Sequence, residues 1–238
     1  MIELVNVSKK YKVRGGARSI LRRVNLTIHK GERVGVLGRN GAGKSTLIRI
    51  ISGAEKPSGG EVQRKMTTSW PLAFSGGFHS RLTGADNLRF ICRIYGVDFR
   101  DRLAYVEEFA QLGPYLREPV GIYSSGMRAR LAFAISMTID FDCYLIDEVT
   151  AVGDAYFREK CKEELFEKRG DRAMVIVSHG EGYIKENCNR FLLLNDGDLS
   201  EYATFDEAYH HHKAIMMGVK PYWGLTSEEK NSREGQEP

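Results

Sequence analysis

Eight consecutive residues constrain this chain more than any others: Gly38-Arg39-Asn40-Gly41-Ala42-Gly43-Lys44-Ser45, followed by Thr46. They spell G-x-x-x-x-G-K-S. Residues 33–37 (RVGVL), entered from a Lys30-Gly31-Glu32 turn, read as a buried strand, and the following TLIRIISG is apolar at helical spacing. Glycines at these places let successive backbone N–H groups face inward, and the start of the next helix adds the positive end of its dipole. The pattern predicts a phosphate-wrapping loop between a strand and a helix. In that arrangement Lys44 reaches the β- and γ-phosphates and Ser45 holds Mg²⁺.

Such a loop needs an acidic strand end to help hold the metal. Residues 143–146 (CYLI) are an apolar strand that ends in Asp147 and Glu148. Asp147 is the expected Mg²⁺ partner, usually through water. Glu148, one residue on, points elsewhere and is suited to orient or deprotonate an attacking water as general base.

Strand patterns also cover residues 2–7, 24–28, 173–177 and 191–194, whereas strand signals fade across about 83–137, where helical periodicity takes over. Strands alternating with helices imply a mostly parallel sheet covered on both faces. The expected fold is therefore α/β, with an antiparallel β part at the N-terminus and a helical lobe inserted at about 83–137. The expected boundaries are a nucleotide-binding domain over 1–217 and a flexible tail over 218–238, which is polar and without period.

With 42% apolar and 28% charged residues in 238, disorder is excluded. A net charge of +4, spread along the chain, is a weak signal for nucleic acid, and no nucleic-acid partner is expected. Cys92, Cys143, Cys161 and Cys188 lie far apart with no C-x-x-C pair, which signals neither a zinc site nor a disulfide framework. The longest apolar runs are about five residues where a bilayer-spanning helix needs about twenty. The opening residues lack an apolar segment of signal-peptide length, so the protein is expected to stay on the side where it is made. The triplet His210-His211-His212 cannot converge on one ion, because adjacent helical residues point about 100° apart. It is expected to form a solvated helix face.

Tyr123-Ser124-Ser125-Gly126-Met127 opens the helical run RARLAFAIS shortly before the acidic strand. In company with the loop and the Asp-Glu pair, it resembles the signature motif of ABC ATPases, usually LSGGQ; Ser124 and Gly126 match, whereas Ser125 and Met127 depart from the common form. The resemblance extends over about residues 2–212. It implies that ATP is the bound nucleotide and that Tyr11, in VSKKY, is the aromatic on which adenine stacks. It places the D-loop at Ala151-Val152-Gly153-Asp154 and makes His179, after AMVIVS, the switch histidine at the γ-phosphate. It also implies a homodimer in which Ser124, Ser125 and Gly126 of one copy close over the nucleotide of the other, with an integral membrane permease subunit as second partner.

The family's Q-loop glutamine has no equivalent between residues 62 and 81; Gln63 lies too early. The stretch from Ser69 to His79 stands there instead: Ser69-Trp70-Pro71-Leu72-Ala73-Phe74-Ser75-Gly76-Gly77-Phe78-His79. Together with YSSGMRARLAFAIS and EVTAVGDAYFREKC, it resembles the ATP-binding subunits of bacterial capsular-polysaccharide exporters. The implied place is peripheral, on the cytoplasmic face of the inner membrane. Trp70, Phe74 and Phe78 with Pro71 and two glycines make a poor strand interior and read as a long loop, either part of the groove receiving a cytoplasmic helix of the membrane subunit or a satellite of the core. Export of another cargo, such as O-antigen, teichoic acid, lipid or drug, is the alternative; a soluble ABC protein acting on nucleic acid is a further one.

Overall fold

In the computed structural model the described residues are 1–72, 77–147, 154–178 and 180–219. Strands β1 (Ile2–Val13), β2 (Gly16–Ile28) and β4 (Gly59–Arg64) form an antiparallel sheet in the order β2-β1-β4. A second sheet runs β5-β6-β7-β3-β8-β9, from β3 (Arg33–Leu37), β5 (Thr68–Leu72), β6 (Cys143–Asp147), β7 (Ala173–Val177), β8 (Arg190–Asn195) and β9 (Asp198–Tyr202). Strands β5, β6, β7, β3 and β8 are parallel, and β9 returns antiparallel at the edge. This is the α/β architecture expected of the sequence.

Side-chain alternation decides what covers each face of the larger sheet. Cys143 and Leu145 of β6, Val175 and Val177 of β7, and Val34 and Val36 of β3 share one core with Ile2, Leu4 and Ile28 of the antiparallel sheet and with Leu47, Ile50 and Ile51 of α1 (Lys44–Ser52). Tyr144, Ile146, Met174 and Ile176, one residue out of step, point into a second core. Helices α2 (Gly84–Tyr95), α3 (Phe99–Ala110), α4 (Ser125–Met137) and α5 (Ala155–Lys162) close that core through Leu88, Phe109, Phe133 and Phe157. A smaller cluster joins Leu37, Phe191 and Leu193 to α6 (Glu181–Asn187) and α7 (Phe205–Met217). Gly35 of β3 leaves room for α6: a Cβ there would meet the Ile184 side chain at 2.5 Å.

The strand-poor middle is helical, and side-chain caps start its helices. The Thr83 hydroxyl accepts the Asp86 N–H at 3.0 Å, Asp98 accepts that of Arg100 at 2.7 Å, and Ser124 accepts that of Met127 at 3.2 Å. Among the described residues no helix is long and apolar enough to cross a membrane.

Two expectations are corrected. Residues Thr68–Leu72 are not loop but the edge strand β5, pairing with β6 from Thr68↔Cys143 to Leu72↔Ile146 across a register shift. An edge strand tolerates Pro71, and at the shift the Ser69 hydroxyl accepts the Leu145 N–H at 2.9 Å in place of a ladder bond. Pro71 near the strand's end and Gly76-Gly77 in the sequence just after it give this stretch the composition of a loop. The histidine triplet is not uniformly solvated: His210 is exposed, but His211 and His212 are half-buried, and His211 bonds Tyr202 of β9.

Candidate phosphate-binding site

The loop Gly38–Gly43 leaves β3 at the middle of the larger sheet and enters α1. Two glycines are required there. Gly38 has φ 152° and a Cβ on it would run into the Leu194 carbonyl; Gly43 has φ 109° and a Cβ would meet the Ile20 side chain at 2.8 Å. Within the loop, the Ala42 N–H donates to the Arg39 carbonyl at 3.1 Å. No side-chain hydrogen bond caps α1, and its first turn holds no acidic residue. The positive end of its dipole is thus directed at the loop without a competing carboxylate.

Lys44 is buried, and its ammonium donates to the carbonyls of Gly38 at 2.6 Å and Arg39 at 3.1 Å. Asp147, last in β6, sits in register with Val177 of β7, next to the central strand that launches the loop. A cavity of about 230 Å³ gathers Asn40, Gly41, Gly43, Lys44, Ser45 and Thr46 with Asp147 and Tyr11. An ammonium, a helix N-terminus and loop N–H groups on one wall suit phosphate oxygens. The Ser45 hydroxyl and the Asp147 carboxylate on the same cavity are the hard oxygen donors that Mg²⁺ takes, so the residues fit that ion. Among the described residues no group of three His, Cys, Asp or Glu forms a metal centre.

Tyr11 arrives from the other sheet. The pairing Tyr11↔Arg18 within the β1-β2 hairpin places it over the loop beside Ile20. Gly38, Arg39 and Asn40 border a second cavity, of about 250 Å³, with His212 and Met216 of α7. Ser124, Ser125 and Gly126 are at the start of α4 and are not among the residues lining the phosphate cavity. Glu148, His179 and Ala151, Val152 and Gly153 lie outside the described residues. Asp154 is described: it accepts the Phe157 N–H at 2.8 Å as the cap of α5, and Arg130 of α4 donates to it at 2.7 Å. The cap bond first, and Arg130 with it, hold its carboxyl below the usual range.

A larger cavity of about 540 Å³ adjoins the site, lined by Trp70, Pro71, Tyr95 and Arg49 and sharing Ser45 and Asp147 with the first. Trp70 divides its surface: its ring packs 5.8 Å from that of Tyr95 and 5.5 Å from that of Phe141, and the rest faces the cavity. Phe78 packs against the lobe core, and Phe74 lies outside the described residues. Sequence reasoning missed Ile20 and Val177 as lining residues, and also Arg49 and Glu55 around Tyr11. No local pattern in RIISGAEK marks the last two, which meet Tyr11 from 38 and 44 positions away.

Comparison with known proteins agrees with this geometry. Residues 21–151 match the family described as ABC transporter. The chain is 55% identical to the capsule polysaccharide export ATP-binding protein CtrD of Neisseria meningitidis serogroup B, over 90% of this chain and 100% of that one. It is 54% identical to the ATP-binding protein BexA of Haemophilus influenzae, over 89% and 98% respectively. In fold it is similar to the ATP-binding cassette MJ0796, solved as a dimer in a post-hydrolysis state bound to ADP and Pi, with a TM-score of 0.73 at 24% identity over 84% of this chain and 98% of that one. The loop, the acidic strand end and these likenesses coincide on one conclusion: the chain belongs to the ABC transporter family.

Proposed function

We propose that this protein is the ATP-hydrolysing subunit of an ABC exporter that powers transfer of capsular polysaccharide across the bacterial inner membrane. One observation carries the chemistry: Lys44, Ser45, Asp147 and Tyr11, from three separate elements, line one cavity, while the signature residues Ser124, Ser125 and Gly126 do not. The near full-length likeness to capsule-export ATP-binding proteins supports the cargo.

In this reading the loop N–H groups and Lys44 grip the β- and γ-phosphates, and Tyr11 stacks on adenine. Ser45 and Asp147 would hold Mg²⁺, which neutralises charge across those phosphates when bound. Glu148 orients and deprotonates the water that attacks the γ-phosphorus, ADP leaves, and His179 contacts the γ-phosphate. Ser124, Ser125 and Gly126 of a second copy complete the site in trans, offering a hydroxyl-rich helix start to the anion. ATP therefore favours the closed dimer, and its cleavage removes the contacts that distinguish closed from open.

The larger cavity beside Trp70 and Tyr95 receives a cytoplasmic helix of the membrane subunit. It shares Ser45 and Asp147 with the phosphate cavity, which supports a link between helix docking and the nucleotide site. The chain works peripherally, at the cytoplasmic face of the inner membrane. Size-exclusion chromatography of Glu148→Gln tests the reading: with Mg-ATP the variant elutes as a dimer and without nucleotide as a monomer. A monomer at every ATP concentration overturns the sandwich.

A further inference from the structure

Around Tyr11 lies a set of charges that the phosphate chemistry does not use. The Tyr11 hydroxyl donates to Glu55 Oε1 at 2.5 Å. The same carboxylate takes Lys9 Nζ at 2.8 Å and Arg49 Nε at 3.0 Å. Arg49 Nη2 also reaches the Tyr11 hydroxyl at 3.5 Å and the Thr46 hydroxyl at 3.3 Å. Glu55 is itself pinned, since its N–H donates to the Arg49 carbonyl at 3.0 Å. It does not line the phosphate cavity.

Two consequences follow from this geometry. Lys9 Nζ stands 5.1 Å from the centre of the Tyr11 ring, so a cation covers one ring face and the ring's remaining surface lines the cavity. Arg49 belongs to α1, the helix whose first turn carries Lys44 and Ser45. Through Arg49 the carboxylate ties a β1 side chain to the phosphate-binding helix, and so sets the distance between the aromatic surface and the phosphate grip. Burial alone would raise the Glu55 carboxyl, but hydrogen bonds from Lys9, Tyr11 and Arg49 bring it down to about 2, and it stays charged at any working pH.

We propose that Glu55, which touches no nucleotide, is the positioning residue that holds Tyr11 as a preformed stacking surface for the base of ATP. This rests on the reading that Tyr11 stacks on adenine. A ring fixed before the nucleotide arrives does not have to be ordered on binding, which is where preorganisation gains affinity.

The test measures ATP and inorganic tripolyphosphate, which has no base, on the wild-type protein and on Glu55→Gln, Tyr11→Phe, the double variant and Tyr11→Ala, with thermal melts to confirm folding. Tyr11→Ala weakens ATP by about ten- to hundredfold, the loss of one stacked base. Glu55→Gln and Tyr11→Phe each weaken ATP about three- to tenfold, the range of one unfrozen side chain, and raise KM while kcat moves less than about twofold. The double variant is no worse than Glu55→Gln alone, because the Tyr11–Glu55 bond is already broken there. Tripolyphosphate affinity is unchanged throughout. If Tyr11→Ala binds ATP like the wild type, the stacking reading falls and the proposal with it. If Tyr11→Ala weakens ATP but Glu55→Gln does not, or if Glu55→Gln weakens tripolyphosphate equally, or if the two single effects add, the proposal alone is overturned.

Discussion

The ammonium of Lys44 donates to the Gly38 carbonyl at 2.6 Å, closing the loop on the side chain that its own sequence supplies. With the Arg39 carbonyl at 3.1 Å beside it, the buried cation is satisfied by backbone acceptors of the loop it follows.

Lys44→Ala is expected to weaken ATP binding by at least about thirtyfold, the loss of one charge-assisted contact in a desolvated site. Titration with a fluorescent ATP analogue reads this, and a melting curve checks that the fold persists. Wild-type affinity in a folded variant contradicts the assigned grip.

Ser69 is fully buried, and its hydroxyl accepts the Leu145 N–H at 2.9 Å where the β5-β6 register shifts. Ser69→Ala leaves that N–H without its acceptor, at an expected cost of about 1–3 kcal/mol. Urea denaturation measures it. An unchanged midpoint and slope show that the hydroxyl carries no net stability.

Glu164 is 4% exposed, and Arg169 Nη1 meets its Oε1 at 2.5 Å while Arg169 Nη2 reaches the Met137 carbonyl at 2.8 Å. Glu164→Ala strands the guanidinium and is expected to cost about 3–5 kcal/mol near neutral pH. Burial pushes the Glu164 carboxyl up, but hydrogen bonds from Arg169 and Lys168 outweigh it, and the net value falls below the ordinary 4.5. A depressed carboxylate stabilises the fold above the unfolded value and loses that contribution as pH falls through the folded one. The stability gap between wild type and Glu164→Gln should therefore narrow on acidification below 4.5; a gap that widens there refutes the pairing.

Cys143, Cys161 and Cys188 are free thiols that burial pushes up to about 12. Native protein at about pH 8 should release little thiol to a disulfide reagent, and unfolded protein should release it promptly, because only thiolate attacks. A thiol held neutral stabilises the fold below its unfolded value near 9, and that contribution drains away as pH rises towards the folded one. Rapid stoichiometric labelling of the native chain at all three positions would sink the argument.

Phe90 and Ile94 stand one turn apart on α2, 56% and 59% exposed, on the helix whose Tyr95 lines the larger cavity. Replacing both by Ser should change stability by about 0.5 kcal/mol or less per site, as surface positions do. Nucleotide binding should persist while recovery of the membrane subunit in a pull-down falls. Trp70→Ser tests the same groove but should also lower stability, since Trp70 packs on Phe141. Full recovery of the membrane subunit with both variants moves the docking site elsewhere.

The sequence alone determined what depends on neighbours along the chain: the Gly38–Ser45 loop between β3 and α1, the strand ending in Asp147, and the helix start at Ser124. Each is a bond or a backbone conformation that a few consecutive residues settle among themselves. Tertiary structure decided what joins distant segments. Tyr11 and Glu55 meet across 44 positions, Ser69 and Leu145 across 76, and no periodicity records either pair. The edge strand β5 was hidden for the same reason, since it exists through its pairing with β6. Side-chain spacing reports which face of an element is buried, whereas the partner on that face is selected only when remote elements pack.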